Sequence, residues 1–134
     1  MNALKIGIIA FYTAQVRLIA NLMRAKNVVP AGSDDDVFAS TVDSFQGSEA
    51  DVIILSCVRT SKTSAGFLSD SRRLNVSLTR AKKKLIVLCN ADALAGGGET
   101  LEMLDLKSLI ENAKTRNVLF SESEPKILDM VAAL

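Results

Sequence analysis

Apolar residues along this chain follow two patterns, short continuous runs and a recurrence every three or four residues. Four short runs rich in aliphatic residues, at 5–10, 37–42, 51–58 and 84–89, have the length and composition of buried strands, and a weaker run at 118–120 is consistent with a fifth. The stretches between them carry apolar residues at helical spacing. This alternation predicts an α/β fold, with an open and mainly parallel sheet of about five strands and helices on both faces.

Thr13 is predicted to cap the first helix, because a threonine hydroxyl can accept a hydrogen bond from a free amide of the first turn. Its apolar positions recur every three or four residues, at Val16, Ile19, Ala20 and Met23. Residues 27–36 follow it and are predicted to form a loop, since they contain proline, glycine and three consecutive aspartates.

Two later helices are predicted in the same way. Ser69 is a suitable cap for a helix of about ten residues, whose apolar positions are Leu74, Val76 and Leu78. A further helix is predicted over 99–114, along an apolar stripe formed by Leu101, Leu104, Leu109 and Ile110. Pro125 is predicted to begin a terminal helix.

Composition narrows the class of protein. A chain of 134 residues with 49% hydrophobic content can fill one core, so residues 1–134 are predicted to form a single domain. The absence of histidine excludes Ser-His and Cys-His nucleophile pairs and histidine metal sites. Cys57 and Cys89 lack metal-ligand spacing and are predicted to be reduced thiols in the core. No apolar run reaches the roughly 18 residues of a membrane span, so an intracellular location without a membrane partner is expected.

Charge is distributed unevenly. Residues 58–90 contain eight Lys or Arg and one Asp, which gives a local charge of +7 in a chain whose formal net charge is +1. Such a stretch can form a face that binds phosphates. It can also be an ordinary solvated loop, and charge alone does not separate the two interpretations. The basic residues are Arg59, Lys62, Arg72, Arg73, Arg80, Lys82, Lys83 and Lys84.

Two segments carry candidate chemistry. The first, TVDSFQGSE at 41–49, begins at the end of a predicted strand, and the second, RRLNVSLTRAKKK at 72–84, ends at the start of one. Open α/β sheets bind ligands beyond the carboxyl ends of their strands, and each segment is expected to lie partly there. Gly47 permits a turn or a close backbone approach, and Glu49 offers a carboxylate to a hydroxyl or a cation. Alone, these two residues are weak evidence for a site, since a glycine turn with a solvated glutamate explains them more simply.

The first segment, continued by DVIILSCVR, resembles motif V of the superfamily 1 helicases, especially the group of RNA-surveillance and senataxin-type helicases. In that family the motif joins the nucleic-acid track to the nucleotide pocket. The resemblance implies that Gly47 lies near the terminal phosphates of ATP and that Glu49 meets the ribose. It also implies contacts to the sugar-phosphate backbone at Thr41, Val42 and Asp43, with Gln46 in support.

The second segment, with its approach GFLSDS at 66–71, resembles motif VI of the same family, usually close to GFLxDxRRLNVALTRAR. Ser77 replaces the usual alanine. The resemblance implies that Arg80 is an arginine finger, a role that a planar and permanently charged guanidinium can fill by bridging phosphate oxygens. Arg73 and Asn75 are implied to hold the motif in place. Without the resemblance, Arg80 would be an ordinary helix-capping or ion-paired residue.

A third, weaker match lies at the N-terminus, where IGIIAFYTAQ resembles the family's IGVITPYxxQ. Tyr12 and Gln15 fit this pattern, and Tyr12 is implied to contact nucleic acid. Ala10 and Phe11 replace the usual Thr and Pro, so the hydroxyl that the family presents at position 10 is missing. Gln15 is equally consistent with a simple first-turn helix residue.

Several of the family's segments have no counterpart here. The sequence contains no GxxxxGK[ST] phosphate loop, no acidic magnesium motif and no QYRM-type segment. The chain is therefore expected to be part of the second RecA-like domain of a P-loop NTPase helicase, with ATP and Mg²⁺ bound only in the complete enzyme and no hydrolysis by this chain alone. The expected partners are single-stranded RNA or DNA and the N-terminal RecA-like domain.

Two alternatives stay open. The chain could be a stand-alone, catalytically inactive module that binds nucleic acid or acts as an adaptor, since it lacks the phosphate loop. A small-molecule α/β enzyme of flavodoxin-like form would explain the strand and helix pattern. It would explain neither of the two segments.

Overall fold

A computed structural model describes residues 4–28, 36–57, 71–91 and 101–121. The predicted cap Ser69 and the predicted terminal helix from Pro125 lie outside these ranges. The elements in chain order are β1 (Ile6–Ala10), α1 (Thr13–Ala25), β2 (Val37–Thr41), α2 (Val42–Phe45), β3 (Ala50–Ser56), α3 (Ser71–Leu78), β4 (Ala81–Leu88) and α4 (Leu101–Thr115).

The strands form one parallel sheet in the order β2-β1-β3-β4. Strand β1 lies at its centre, where Ile9 pairs with Ser40 of β2 on one side and with Leu55 of β3 on the other. Within the described residues the sheet has four strands, so the α/β parallel class is confirmed and the count of about five is wrong.

The predicted fifth strand at 118–120 does not form because its first amide ends a helix. Asn117 adopts a left-handed conformation with φ of 56°, and the Val118 N–H donates to the Ala113 carbonyl at 2.9 Å. This pattern is the Schellman motif, which satisfies the last carbonyls of a helix. The Val118 amide is therefore not available for pairing in a sheet.

The core lies on one face of the sheet. Ile9, Ile53 and Leu55 have no exposed surface, and α2, α3 and α4 contribute buried side chains above them. Those helical side chains are Val42, Phe45, Leu74 and Ile110. On the opposite face, Gln15 of α1 donates a hydrogen bond to the Ser56 hydroxyl of β3 at 2.7 Å. Helices therefore cover both faces, as predicted.

Gly7 allows the aromatic residues of the core to approach β1. A β-carbon at this position would lie 3.0 Å from Ile53 Cδ1 and 3.2 Å from the Phe38 ring. Phe38 in turn stacks on Phe45 with 5.5 Å between ring centroids. A larger residue at position 7 would displace this stack and with it helix α2.

Three local predictions need correction. Helix α1 has Tyr12 rather than Thr13 as its N-cap, and the Tyr12 side chain makes no capping hydrogen bond. Strand β4 begins at Ala81 rather than at 84 and is only partly buried, because it forms an edge of the described sheet. Cys57 is buried as predicted, but Cys89 is exposed at the end of that edge strand.

None of the described helices combines the length and apolar character that a membrane span requires.

Candidate functional site

The predicted site residues lie at two opposite edges of the sheet. Thr41 ends β2 beside Ala10, the last residue of β1, so Tyr12 and Asp43 both lie beyond the carboxyl edge of the sheet. Glu49 and Arg80 instead precede β3 and β4, and the Arg80 carbonyl accepts a hydrogen bond from the Ala50 N–H at 3.2 Å. The expected position at the carboxyl ends is therefore correct for 41–43 and wrong for Glu49 and Arg80.

The segment 42–49 crosses the sheet between these two edges. Helix α2 begins at Val42, and the Thr41 Oγ1 accepts a hydrogen bond from the Ser44 N–H at 3.2 Å. Val42 and Phe45 anchor the helix in the core, with 3% and 2% exposure. The chain then descends to the amino end of β3. The Val42 side chain is enclosed by protein, so only its backbone can face a ligand.

Gly47 lies in the turn after α2 and has φ of 83°, the left-handed region that favours glycine. Nothing lies within 4 Å of the position that a β-carbon would occupy. The backbone conformation, and not a shortage of space, therefore requires glycine here. This turn brings the chain to Glu49, which is exposed.

Helices α2 and α3 meet through an ion pair. Arg73 Nη2 lies 3.0 Å from the Asp43 carboxylate, with the two side chains 28% and 62% exposed. The pair joins the two predicted motifs at the carboxyl-edge end of 42–49. Beside it is a shallow pocket of about 240 Å³, lined by Val42, Asp43, Gln46, Arg72, Arg73 and Val76. The sequence marks Arg72 only as one of the basic residues of 58–90, and the fold places it with Arg73 in the lining of this pocket.

Arg80 follows the end of α3 and is partly buried. Its Nε is enclosed and has no hydrogen-bond partner, and its Nη2 reaches the Thr79 hydroxyl at 3.5 Å, the outer limit of a hydrogen bond. No ion pair with Arg80 is found among the described residues. A buried, unpaired guanidinium nitrogen is costly, and an anionic ligand would satisfy it.

The end of α3 places Arg80 by using short polar side chains. The Thr79 hydroxyl donates to the Asn75 carbonyl at 2.8 Å, and the Thr79 N–H donates to the same carbonyl at 3.1 Å. Ser77 is completely buried and its hydroxyl donates to the Arg73 carbonyl at 2.6 Å. The serine at this position is thus satisfied within its own helix, which explains how it replaces an alanine.

Acidic residues of one segment pair with basic residues of the other at the amino edge. Lys82 Nζ lies 3.5 Å from the Glu49 carboxylate, and both side chains are more than half exposed. Lys83 Nζ lies 3.0 Å from Asp51, whose other carboxylate oxygen accepts the Lys5 N–H at 3.0 Å. The local charge of +7 along the sequence is therefore partly neutralised in the fold.

The unfolding free energy of the domain should depend on pH through Asp51. The Lys5 N–H, followed by Lys83, lowers the pKa of Asp51 below its ordinary value of 3.8. A carboxyl whose pKa is lower in the folded state stabilises the fold above its unfolded pKa, and the stabilisation is lost as pH falls through the folded pKa. We expect Asp51→Asn to reduce the unfolding free energy at neutral pH and to flatten its decline below about pH 4. Urea unfolding across pH measures this, and an unchanged acid limb would contradict it.

The described residues include groups that are suited to binding an anion and a hydroxyl. No group of three or more His, Cys, Asp or Glu side chains in the described part of the chain could hold a metal ion. A guanidinium nitrogen without a partner and a nearby exposed carboxylate are instead present at the amino edge. These two groups fit a phosphate and a sugar hydroxyl respectively.

Comparison with known proteins identifies relatives. Residues 1–92 match the family model described as an AAA domain. The probable helicase MAGATAMA 3 of Arabidopsis thaliana is 42% identical over 123 residues, which cover 90% of this chain and 14% of that protein. Regulator of nonsense transcripts 1 of Caenorhabditis elegans is 44% identical over 92 residues, covering 68% and 9%. Helicase sen1 of Schizosaccharomyces pombe is 38% identical over 129 residues, covering 92% and 7%.

The chain spans only a small part of each of these proteins, between 7% and 14% of their length. Residues 1–92, which match the family model, include both motifs and the four strands of the described sheet.

Proposed function

The chain belongs to the AAA domain family, within the superfamily 1 helicases of the RNA-surveillance and senataxin-like group, and on this premise we propose that it is part of the second RecA-like domain of an ATP-driven motor. In this proposal residues 1–134 supply an arginine finger and contacts to a nucleic-acid backbone. The phosphate loop and the Mg²⁺ ligands belong to another segment of the complete helicase.

The proposal rests on the surroundings of the Arg80 guanidinium. Its buried Nε has no partner, and it has no carboxylate partner among the described residues. In the proposed enzyme the guanidinium donates hydrogen bonds to phosphate oxygens of ATP held by the other RecA-like domain. Charge that moves toward the leaving group during hydrolysis is stabilised by such a donor, which costs no reorganisation because it is already in place.

Glu49 and Gly47 complete the amino-edge side of the proposed nucleotide site. Glu49 is exposed, and the hydrogen bond from the Ala50 N–H to the Arg80 carbonyl holds the backbone next to Glu49 beside Arg80. When the Glu49 carboxylate releases Lys82, it can accept a hydrogen bond from a ribose hydroxyl. The Gly47 turn lets the backbone approach the terminal phosphates. Arg73 and Asn75 act indirectly, since Arg73 holds Asp43 and the Asn75 carbonyl fixes Thr79.

The carboxyl edge is the proposed nucleic-acid side. Thr41, Asp43 and Tyr12 lie there with the backbone of Val42, and Gln46 lines the adjacent pocket with two arginines. Contacts to phosphate and sugar carry no sequence information, so little sequence preference is expected. Single-stranded RNA and single-stranded DNA both provide these groups.

The segment 42–49 provides a physical connection between the two sites. Its first residues form α2 at the proposed nucleic-acid edge, anchored in the core by Val42 and Phe45, and its last residue reaches the proposed nucleotide edge. In this proposal, a displacement of Glu49 on closure around ATP moves α2 together with its core contacts and so shifts Thr41 and Asp43. Closure and reopening would move the domain along the strand.

A comparison of one variant at each edge tests this division of roles. In the complete helicase, Glu49→Gln should raise the KM for ATP by about tenfold, because a neutral amide is a weaker acceptor for the ribose. Its affinity for a single-stranded oligonucleotide, measured by fluorescence anisotropy without nucleotide, should stay within about twofold of the unmodified protein.

Asp43→Asn should show the reverse pattern, with oligonucleotide affinity changed and the KM for ATP retained. If both variants alter the same constant and spare the other, the two-edge assignment is wrong. A complete protein that binds the oligonucleotide but hydrolyses no ATP would support the adaptor alternative.

A further inference from the structure

Two cysteines lie side by side at the carboxyl edge, on adjacent parallel strands. Ser56 of β3 pairs with Leu88 of β4, and the next amide, that of Cys57, donates to the Leu88 carbonyl at 2.9 Å. In a parallel ladder this bond places Cys57 opposite Cys89. Side chains alternate between faces along a strand, so both cysteines share the face of Leu55 and Val87.

The spacing of paired strands is compatible with a disulfide. Neighbouring strands lie about 4.8 Å apart, and the α-carbons of a disulfide lie roughly 4.4 to 6.8 Å apart. Both thiols are free. Cys57 and Cys89 follow the last residues of β3 and β4, so the backbone there can adjust more easily than in the centre of the sheet.

The two thiols differ in access. Cys57 is 8% exposed and belongs to the core, whereas Cys89 is exposed next to Leu88, which is itself 55% exposed. Burial also raises the pKa of the Cys57 thiol to about 12, and partial burial of the Cys89 sulfur raises the pKa of that thiol as well. Neither cysteine is an activated nucleophile, so access decides which one meets a reagent first.

We propose that Cys57 and Cys89 form a site of reversible disulfide modification, in which exposed Cys89 reacts first with a low-molecular-weight disulfide and Cys57 then resolves the product. The Cys89 thiolate attacks oxidised glutathione, forms a mixed disulfide and releases one reduced glutathione. The Cys57 thiol then loses its proton to water and its sulfur attacks the Cys89 sulfur, which breaks the bond between Cys89 and glutathione and releases the second glutathione as a thiolate that takes up a proton. The two cysteines are oxidised by two electrons, and glutathione disulfide is reduced to two thiols.

The product would join β3 and β4 covalently at the carboxyl edge. The nucleotide and nucleic-acid roles proposed above use neither cysteine, so this site stands independently of them. Disulfides of intracellular proteins are usually transient or regulatory, and an exposed thiol with a buried neighbour is the arrangement that allows reversal by the same exchange chemistry.

Mass spectrometry of the 134-residue chain tests the proposal. The reduced, folded chain is incubated with oxidised glutathione, quenched with acid and N-ethylmaleimide, and analysed intact and as peptides. We expect an adduct carrying one glutathionyl group at Cys89, followed by a species that has lost two hydrogens and yields a crosslinked peptide containing both cysteines. Adduct that accumulates without any crosslinked peptide would overturn the assignment of Cys57.

Matched variants separate the two steps. Cys57→Ser should retain the glutathionyl group at Cys89, and Cys89→Ser should react at least roughly tenfold more slowly than the unmodified chain. Equal reactivity of Cys89→Ser would show that Cys57 reacts first and would overturn the proposal. Native-state alkylation covers the case of a variant that does not fold: iodoacetamide should label Cys89 alone and thereby prevent the crosslink, and labelling of Cys57 at the same rate would contradict it.

Discussion

Arg80→Ala in the complete helicase is expected to lower ATP turnover by about three to five orders of magnitude. The change removes the guanidinium whose buried Nε has no partner in the described part of the fold. Affinity for a single-stranded oligonucleotide should be retained, because Arg80 lies at the opposite edge from Thr41 and Asp43. Steady-state hydrolysis with saturating oligonucleotide measures the first effect, and fluorescence anisotropy measures the second.

Two further variants make this result specific. Arg80→Lys keeps a positive charge but loses the planar fork that can bridge two oxygens, so it should restore little activity. Arg116→Ala removes a positive charge from the exposed end of α4 and should leave turnover within about twofold. Turnover by Arg80→Ala equal to that of the unmodified helicase would refute the proposed role.

Leu55→Ala is expected to cost about 2 to 5 kcal/mol of unfolding free energy. Leu55 has no exposed surface and lies in β3, between β1 and β4, where it packs into the core. The truncation removes favourable transfer of the side chain from water and leaves a cavity that a packed parallel sheet cannot close. Urea unfolding of the 134-residue chain gives the difference.

Leu18→Ala is the matched control, because it makes the same chemical change at a helix position that is 58% exposed. Its effect should stay within about 0.5 kcal/mol. Equal losses for the two variants would mean that the core does not lie over the face of β3 that carries Leu55.

The parallel sheet could be predicted because its strands are aliphatic runs and its helices have a regular apolar spacing. The predictions of strand position were wrong where a tertiary or helix-capping interaction determines the structure and the local sequence pattern does not. Residues 118–120 have strand-like composition, yet the Val118 amide is used to end α4. The sequence predicts a later start for β4 than the structure has, because Lys82 and Lys83 are typical of a polar loop, whereas in the fold they pair with Glu49 and Asp51.

The sequence identified the candidate site residues but did not predict at which edge of the sheet each of them lies. The motifs identified Thr41, Gly47, Glu49 and Arg80, and their roles stay predictions. What the sequence did not reveal is that 42–49 crosses the sheet, which puts Glu49 and Arg80 at the amino edge. That arrangement depends on the anchoring of Val42 and Phe45 in a core formed by residues distant in sequence.

Charge was the least predictable property. A local sum over 58–90 gives +7, but an ion pair depends on distance in space. Arg73, Lys82 and Lys83 each face an acidic residue contributed by 43–51. Arg80 has no such partner among the described residues, and its buried Nε has no hydrogen-bond partner, which distinguishes it from those three side chains.

The most direct test of the central claim is the trapping of ADP with aluminium fluoride, which mimics the phosphoryl group in transfer, in the complete helicase. Two dissociation constants are measured and compared: that of the trapped complex and that of a non-hydrolysable ATP analogue. If Arg80 completes the triphosphate pocket, Arg80→Ala should weaken trapping by at least about a hundredfold while analogue binding changes by less than tenfold. Undiminished trapping in that variant would contradict the account.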